Sequence, residues 1–163
     1  MIAILAALLL WPASERALVR DDVVAALHAL AEYTRCIGEC DDANAADARR
    51  TFLVALQNAD ATLQRVITGT SSDPEPLMAL LIYTRRFGLA LAALVAATPD
   101  RLQLGPLCRI GSDVIGDVAN AVAAGTPPQP LPALAGAHGG DGAERLLAQL
   151  EGLHRAGARL VTV

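Results

Sequence analysis

Residues 14–38, SERALVRDDVVAALHALAEYTRCIG, decide how this chain folds. Val23, Val24, Leu27, Leu30, Ala31, Thr34 and Ile37 recur three and four residues apart, which is the period of one face of an α-helix. Arg20, Asp21, Asp22, Glu32 and Arg35 fill the other faces. Gly38 is the expected stop, since glycine readily takes the left-handed conformation that ends a helix.

The same period continues downstream. Asp41 and Asp42 offer an N-cap, and a second helix is predicted to about Thr68, with Phe52, Leu53, Leu56, Ala59, Leu63, Val66 and Ile67 inward and Gly69 after it. Ser72 and Glu75 stand at capping-box spacing, and Pro74 and Pro76 suit a first turn. The third helix then runs to about Ala97, burying Leu77, Leu80, Leu81, Thr84, Phe87, Leu91, Leu94 and Val95. Thr98 is the expected cap of the next start, with Pro99 in its first turn. Pro106 cannot donate to the carbonyl of Leu102, so a short turn and a kink near Gly105 are expected. A fourth long helix to about Ala124 follows, burying Leu107, Ile110, Val114, Ile115, Val118 and Val122. Residues 125–140, GTPPQPLPALAGAHGG, read as a linker, extended at the Pro end. Asp141 and Glu144 open a last helix carrying Leu146, Leu147, Leu150 and Leu153. No strand pattern competes. The expectation is an all-α fold: an antiparallel four-helix bundle over residues 14–124, the linker 125–140, and an additional C-terminal helix and tail over 141–163.

Composition agrees. Hydrophobic residues make up 53% of the 163 and aromatics only 3%, so the apolar content is Ala, Leu and Val, largely helix formers. The net charge is −4, and all 13 basic residues are Arg. Mild acidity without a clustered basic face argues against nucleic acid. Cys36, Cys40 and Cys108 are an odd set at irregular spacing, which suits a reducing compartment better than a disulfide framework.

Residues 1–11, MIAILAALLLW, carry no charge. As a helix they cover roughly 16 Å, about half of a bilayer's hydrocarbon core. Three readings stand: a signal peptide lacking a basic start, a buried helix of a soluble domain, and the inner end of a membrane span. In the last, Trp11 is an interfacial belt residue, and Arg16 and Arg20 flank the cytoplasmic side. Pro12 then marks a handover from one helix to the next, and residues 1–13 are a truncated membrane segment.

This juxtaposition carries a resemblance. LLLWPASER (8–16), running into an amphipathic helix, resembles the fusaric acid resistance and aromatic acid exporter family of bacterial inner-membrane proteins. There the last membrane helix ends in an apolar run, Trp-Pro and Glu-Arg before a cytoplasmic helical region; Trp11, Pro12, Glu15 and Arg16 match. Ala13-Ser14 stand where the family often has a second Trp. DARRTFLVALQNADATLQRVITG (47–69) is similar to its second soluble helix, and YTRRFGLALAALVA (83–96) to its third. The resemblance implies the cytoplasmic helical domain of an inner-membrane efflux transporter for aromatic carboxylic acids or related toxic compounds, attached to a membrane, homo-oligomeric, and not an enzyme. The rival is a free-standing helical binding or scaffold module, possible also as a secreted protein.

Few residues suggest chemistry. His28, Glu32, Cys36 and Cys40 form a ridge four residues apart, but no second pair of ligands stands at zinc spacing, and ordinary helix residues are the plainer reading. Glu39, Asp41 and Asp42 are expected to raise the Cys36 pKa rather than activate it. His138 and His154 have no partnered nucleophile, and GAHGGDG (136–142) lacks the context of a phosphate loop. No metal or cofactor is therefore expected. Arg49-Arg50 and Arg85-Arg86 are candidate contacts for an anionic aromatic acid or lipid headgroup, against the plainer reading of surface arginines paired with Asp47, Glu32 or Asp60.

Overall fold

The computed structural model describes the backbone of residues 2–69, 75–132 and 140–162, and side chains over 17–67, 75–132 and 140–161. The fold is all-α: α1 (Ile2–Gly38), α2 (Asp42–Gly69), α3 (Glu75–Ala97), α4 (Gly105–Ala124) and α5 (Gly140–Thr162), with one 3-10 turn (Arg101–Leu104) before α4. Ser72, Pro74 and His138 lie outside the described residues, as do the side chains of Trp11, Pro12, Glu15 and Arg16.

The expected change of helix at Pro12 does not interrupt α1, which is one continuous element. A proline inside a helix removes one backbone hydrogen bond and bends the axis; it need not end the helix when its neighbours are good helix formers. The other end of α1 also differs from expectation. The backbone N–H of Cys40 donates to the Ile37 carbonyl and that of Asp41 to the Cys36 carbonyl, at 3.2 and 3.0 Å, the paired bonds of a Schellman ending. The left-handed residue in it is Cys40, with φ 57°, not Gly38. Gly38 serves a contact instead: a Cβ there would lie 2.8 Å from the Cβ of Cys108 on α4. Asp41 caps α2 as expected, its Oδ1 accepting from the Asn44 N–H at 3.2 Å. The start before α4 falls later than Thr98, because Asp100 is the side chain that caps it, accepting from the Leu102 N–H at 3.1 Å. One 3-10 turn then delivers Pro106 into the first turn of α4, where its missing N–H costs nothing.

Helix directions follow from residue pairs. Ser112 donates to the Ala31 carbonyl and Cys108 abuts Gly38, so α4 is antiparallel to α1. Asp60 pairs with Arg85 and Phe52 abuts Gly88, so α3 is antiparallel to α2. Leu94 abuts Gly142 and Tyr83 abuts Gly152, so α5 is antiparallel to α3, and therefore parallel to α4. The chain after α4 must climb back along the bundle. It turns at Gly125 (φ 65°), in a second Schellman ending. The Gln129 N–H then donates to Asp117 Oδ2, and the Gln129 carbonyl accepts from His154 Nε2, each at 2.7 Å. The Pro-rich linker is thus tied to both α4 and α5.

α1 packs chiefly on α2 and α4, and α5 lies against both α3 and α4. Close approach rests on glycine. A Cβ at Gly88 would lie 2.7 Å from Phe52 Cε1, and one at Gly111 would lie 3.3 Å from Phe87 Cζ. A Cβ at Gly152 would clash with the Tyr83 ring. The inward residues expected from periodicity are buried or half-buried, with the exception of Leu53, which is 45% exposed at the α2–α3 edge.

Two stability changes of opposite sign are expected in urea unfolding followed by circular dichroism. Gly88→Val should destabilise by about 1–3 kcal/mol, the usual cost of forcing extra atoms into a packed site. Cys40→Gly should stabilise by about 0.5–1 kcal/mol, because left-handed backbone is costly for any side chain.

Candidate functional site

α2 and α3 touch only sparingly along their length, and a groove of about 310 Å³ opens between them. Its position follows from Phe52. The ring stands on Gly88 and is 3% exposed, so it props α2 away from α3 and floors the space above. On α2, Arg49, Phe52, Leu56 and Asp60 recur at helical spacing and share the groove; on α3, Arg85, Gly88, Leu89 and Ala92 do the same. Tyr33 of α1 reaches the groove from below, with only 5% of its surface exposed.

The polar groups differ in how they are engaged. Arg85 forms an ion pair with Asp60, both partly exposed. Arg49 is exposed and makes no ion pair among the described residues. Burial holds the Tyr33 phenol above its ordinary pKa of 10.0; the charges of Arg49 and Arg101 act in the opposite sense and Cys108 in the same one. The phenol is therefore neutral at physiological pH and is a hydrogen-bond donor. The exposed Arg49 guanidinium thus borders a groove with an aromatic floor. The volume is at the lower end of small-molecule pockets, enough for one substituted ring.

Of the arginines suggested by sequence, the structure brings Arg49 and Arg85 together and leaves the other two elsewhere. Arg50 faces solvent and pairs with Asp47 at 3.0 Å. Arg86 lines a separate groove between α3 and α5. Neighbouring helix residues point about 100° apart, so a basic pair cannot present both members to one site. Neither Tyr33 nor Phe52 is a site candidate by sequence, although Phe52 is an expected inward residue of the second helix. The spacing of Arg49, Phe52, Leu56 and Asp60 is the signal that could have found Phe52; Tyr33 lies on another helix and carries no such signal.

The ridge on α1 is otherwise occupied. Glu32 accepts from Arg35 Nε at 2.8 Å and Nη2 at 2.6 Å, and this pairing lowers its pKa. Cys36 is buried, and burial first, then the Glu32 charge, raises its pKa. Cys108 is likewise buried and pushed up to about 11, chiefly by desolvation. Cys40 is exposed. Among the described residues no group of three His, Cys, Asp or Glu side chains could hold a metal ion. His154 is engaged by the linker carbonyl at Gln129.

No protein-family model, curated protein or solved structure matches the chain.

The Tyr33 hydroxyl gives a direct check on the site. The difference in phenolate absorbance between the native protein and Tyr33→Phe should titrate above pH 10.0. Since the folded-state pKa is raised, the stability that Tyr33 contributes is fully present below the unfolded value. It is lost as pH rises through the folded one, so Tyr33→Phe should narrow the alkaline fall in stability.

Proposed function

We propose that this chain is a non-enzymatic helical module on the cytoplasmic side of a bacterial inner-membrane efflux protein, and that its α2–α3 groove holds an aromatic carboxylate. The observation that carries the binding half is the exposed Arg49 guanidinium, without an ion pair among the described residues, at a groove floored by Phe52 and sized for one ring. A guanidinium donates hydrogen bonds and carries charge, so it favours an anion, and the apolar walls favour a ring behind it. Among the described lining residues there is no Ser, Cys or His to act as nucleophile or proton shuttle.

The membrane half rests on the resemblance around Trp11 and Pro12, and is supported by the continuity of α1. Thr62 donates to Asp22 Oδ2 at 2.6 Å, which sets the register of α2 on α1. In that register the last residue of α2, Gly69, is level with roughly residue 15 of α1. The apolar residues 2–11 then lie on the same helix just past the end of α2. A helix passing without a loop from an apolar segment into the bundle would transmit movement between them directly.

Titration with benzoate, followed by amide NMR shifts at Phe52, Leu56 and Leu89, tests the binding half. Arg49→Ala should weaken binding about tenfold, the worth of one charge-assisted hydrogen bond of ~1.5 kcal/mol. Arg50→Ala should leave it unchanged. An equal loss in Arg50→Ala, or no saturable shift in the native protein, overturns this reading. Fractionation of native cells tests the membrane half: the protein should be recovered with inner membranes, and recovery as a soluble, N-terminally trimmed periplasmic species overturns it.

A further inference from the structure

A second groove, of about 530 Å³, runs between α3 and α5. It differs from the first in its walls. No aromatic side chain lines it; its apolar surface is Leu89, Leu94 and the small residues Ala90, Ala93, Ala97 and Gly142. Small side chains facing each other from two antiparallel helices leave a narrow trough, which suits a slim, flexible chain better than a flat ring.

The polar groups of this trough are gathered towards one end. Because Gly142 abuts Leu94 and Gly152 abuts Tyr83, Gln149 of α5 is level with Arg86 of α3, and Arg145 is one turn further along. Gly142, Leu94 and Ala97 form the other, wholly apolar end. Arg86 and Arg145 are both exposed and make no ion pair among the described residues. Gln149, half-buried, lines the same end of the groove. Both guanidiniums are donors. The trough is therefore amphipathic along its length, with donors at one end and apolar surface at the other.

From this polarity we infer that the α3–α5 groove is a binding site for a free aliphatic monocarboxylate. The carboxylate sits at Arg86 and Arg145, and the chain lies over Ala90 and Ala93 towards Gly142. The α3 wall from Arg86 to Ala97 rises about 16 Å. An extended alkyl chain advances about 1.3 Å per carbon for ~1.5 Å bonds, so the wall matches a medium-length acid of about ten to twelve carbons. This site is separate from the α2–α3 groove and does not depend on what occupies it.

The test is titration of the full chain with decanoate below its micelle concentration, followed by NMR. Saturable shifts are expected at Ala93, Gly142 and the Gln149 side-chain amide. Ala93→Leu, at an exposed helical position, should fill the trough and weaken binding at least tenfold. Arg86→Ala, a surface change with no packing role, should weaken it severalfold, which keeps the test intact if the first variant folds poorly by circular dichroism. Decanol should bind at least fivefold more weakly than decanoate, and benzoate should not displace decanoate. Absence of saturable shifts, undiminished binding in both variants, equal binding of decanol, or displacement by benzoate each overturns the inference. Displacement by benzoate would assign both ligands to one groove, while loss of benzoate binding alone would leave the decanoate site standing.

Discussion

Two phenylalanines standing on two glycines set the spacing of this bundle. Phe87, fully buried, extends from α3 to Gly111 on α4, beside the Thr34 methyl of α1. Phe52 extends from α2 to Gly88 on α3, beside Leu30 of α1. In a chain with 3% aromatics and an Ala-rich interior, most helix contacts are thin. The rings supply the bulk at the two places where helices would otherwise leave a gap, and the glycines let each ring seat fully. The same arrangement makes the site. By filling the depth between α2 and α3, Phe52 keeps their outer edges apart, and the groove with Tyr33 beneath it is what remains.

Glycine has a second use in α5. Gly142, Gly152 and Gly157 each receive a neighbouring side chain, from Leu94, Tyr83 and Val118 respectively. α5 therefore settles onto α3 and α4 rather than trailing behind a linker. Parallel packing of α4 and α5 requires the chain to return along the bundle after Gly125. Prolines suit that return because they keep the chain extended, and Gln129 anchors it by using both its N–H and its carbonyl. His154 gains a role in this: its Nε2 must carry the proton, since a backbone carbonyl can only accept.

Element order and most of the core were legible because amphipathic period is a local property, and Val23 to Ile37 or Leu80 to Leu94 display it without help from neighbours. The ends of α1 were less legible. Pro12 reads as a boundary, yet whether a proline ends a helix or bends it depends on what holds the two sides. Gly38 reads as a stop, yet tertiary contact with Cys108 claims it and leaves the left-handed position to Cys40. The linker reads as a divider for a related reason: nothing local in GTPPQPLP says that α5 will return to cover α3. For the groove, the basic pairs were visible, but choosing Arg49 over Arg50 needs the helix phase relative to α3. Tyr33 needs knowledge that α1 runs beneath both.

The stretch RRFGL, residues 85–89, shows how much one turn of helix can carry in this fold. Arg85 turns to the α2 side, where Asp60 holds it, and Arg86 to the α5 side. Phe87 turns inward to Gly111, and Gly88 receives Phe52. Leu89, 66% exposed, is the ridge shared by both grooves. α3 has a mean hydropathy of 1.6 over its most apolar window, enough by length and composition to cross a membrane, yet only 39% of that window is buried. An ordinary surface helix turns a polar face to water. α3 instead keeps Met78, Ile82 and Leu89 outward. For Leu89 the two grooves supply the reason: a ligand in either one covers part of an apolar ridge that the bundle itself leaves bare.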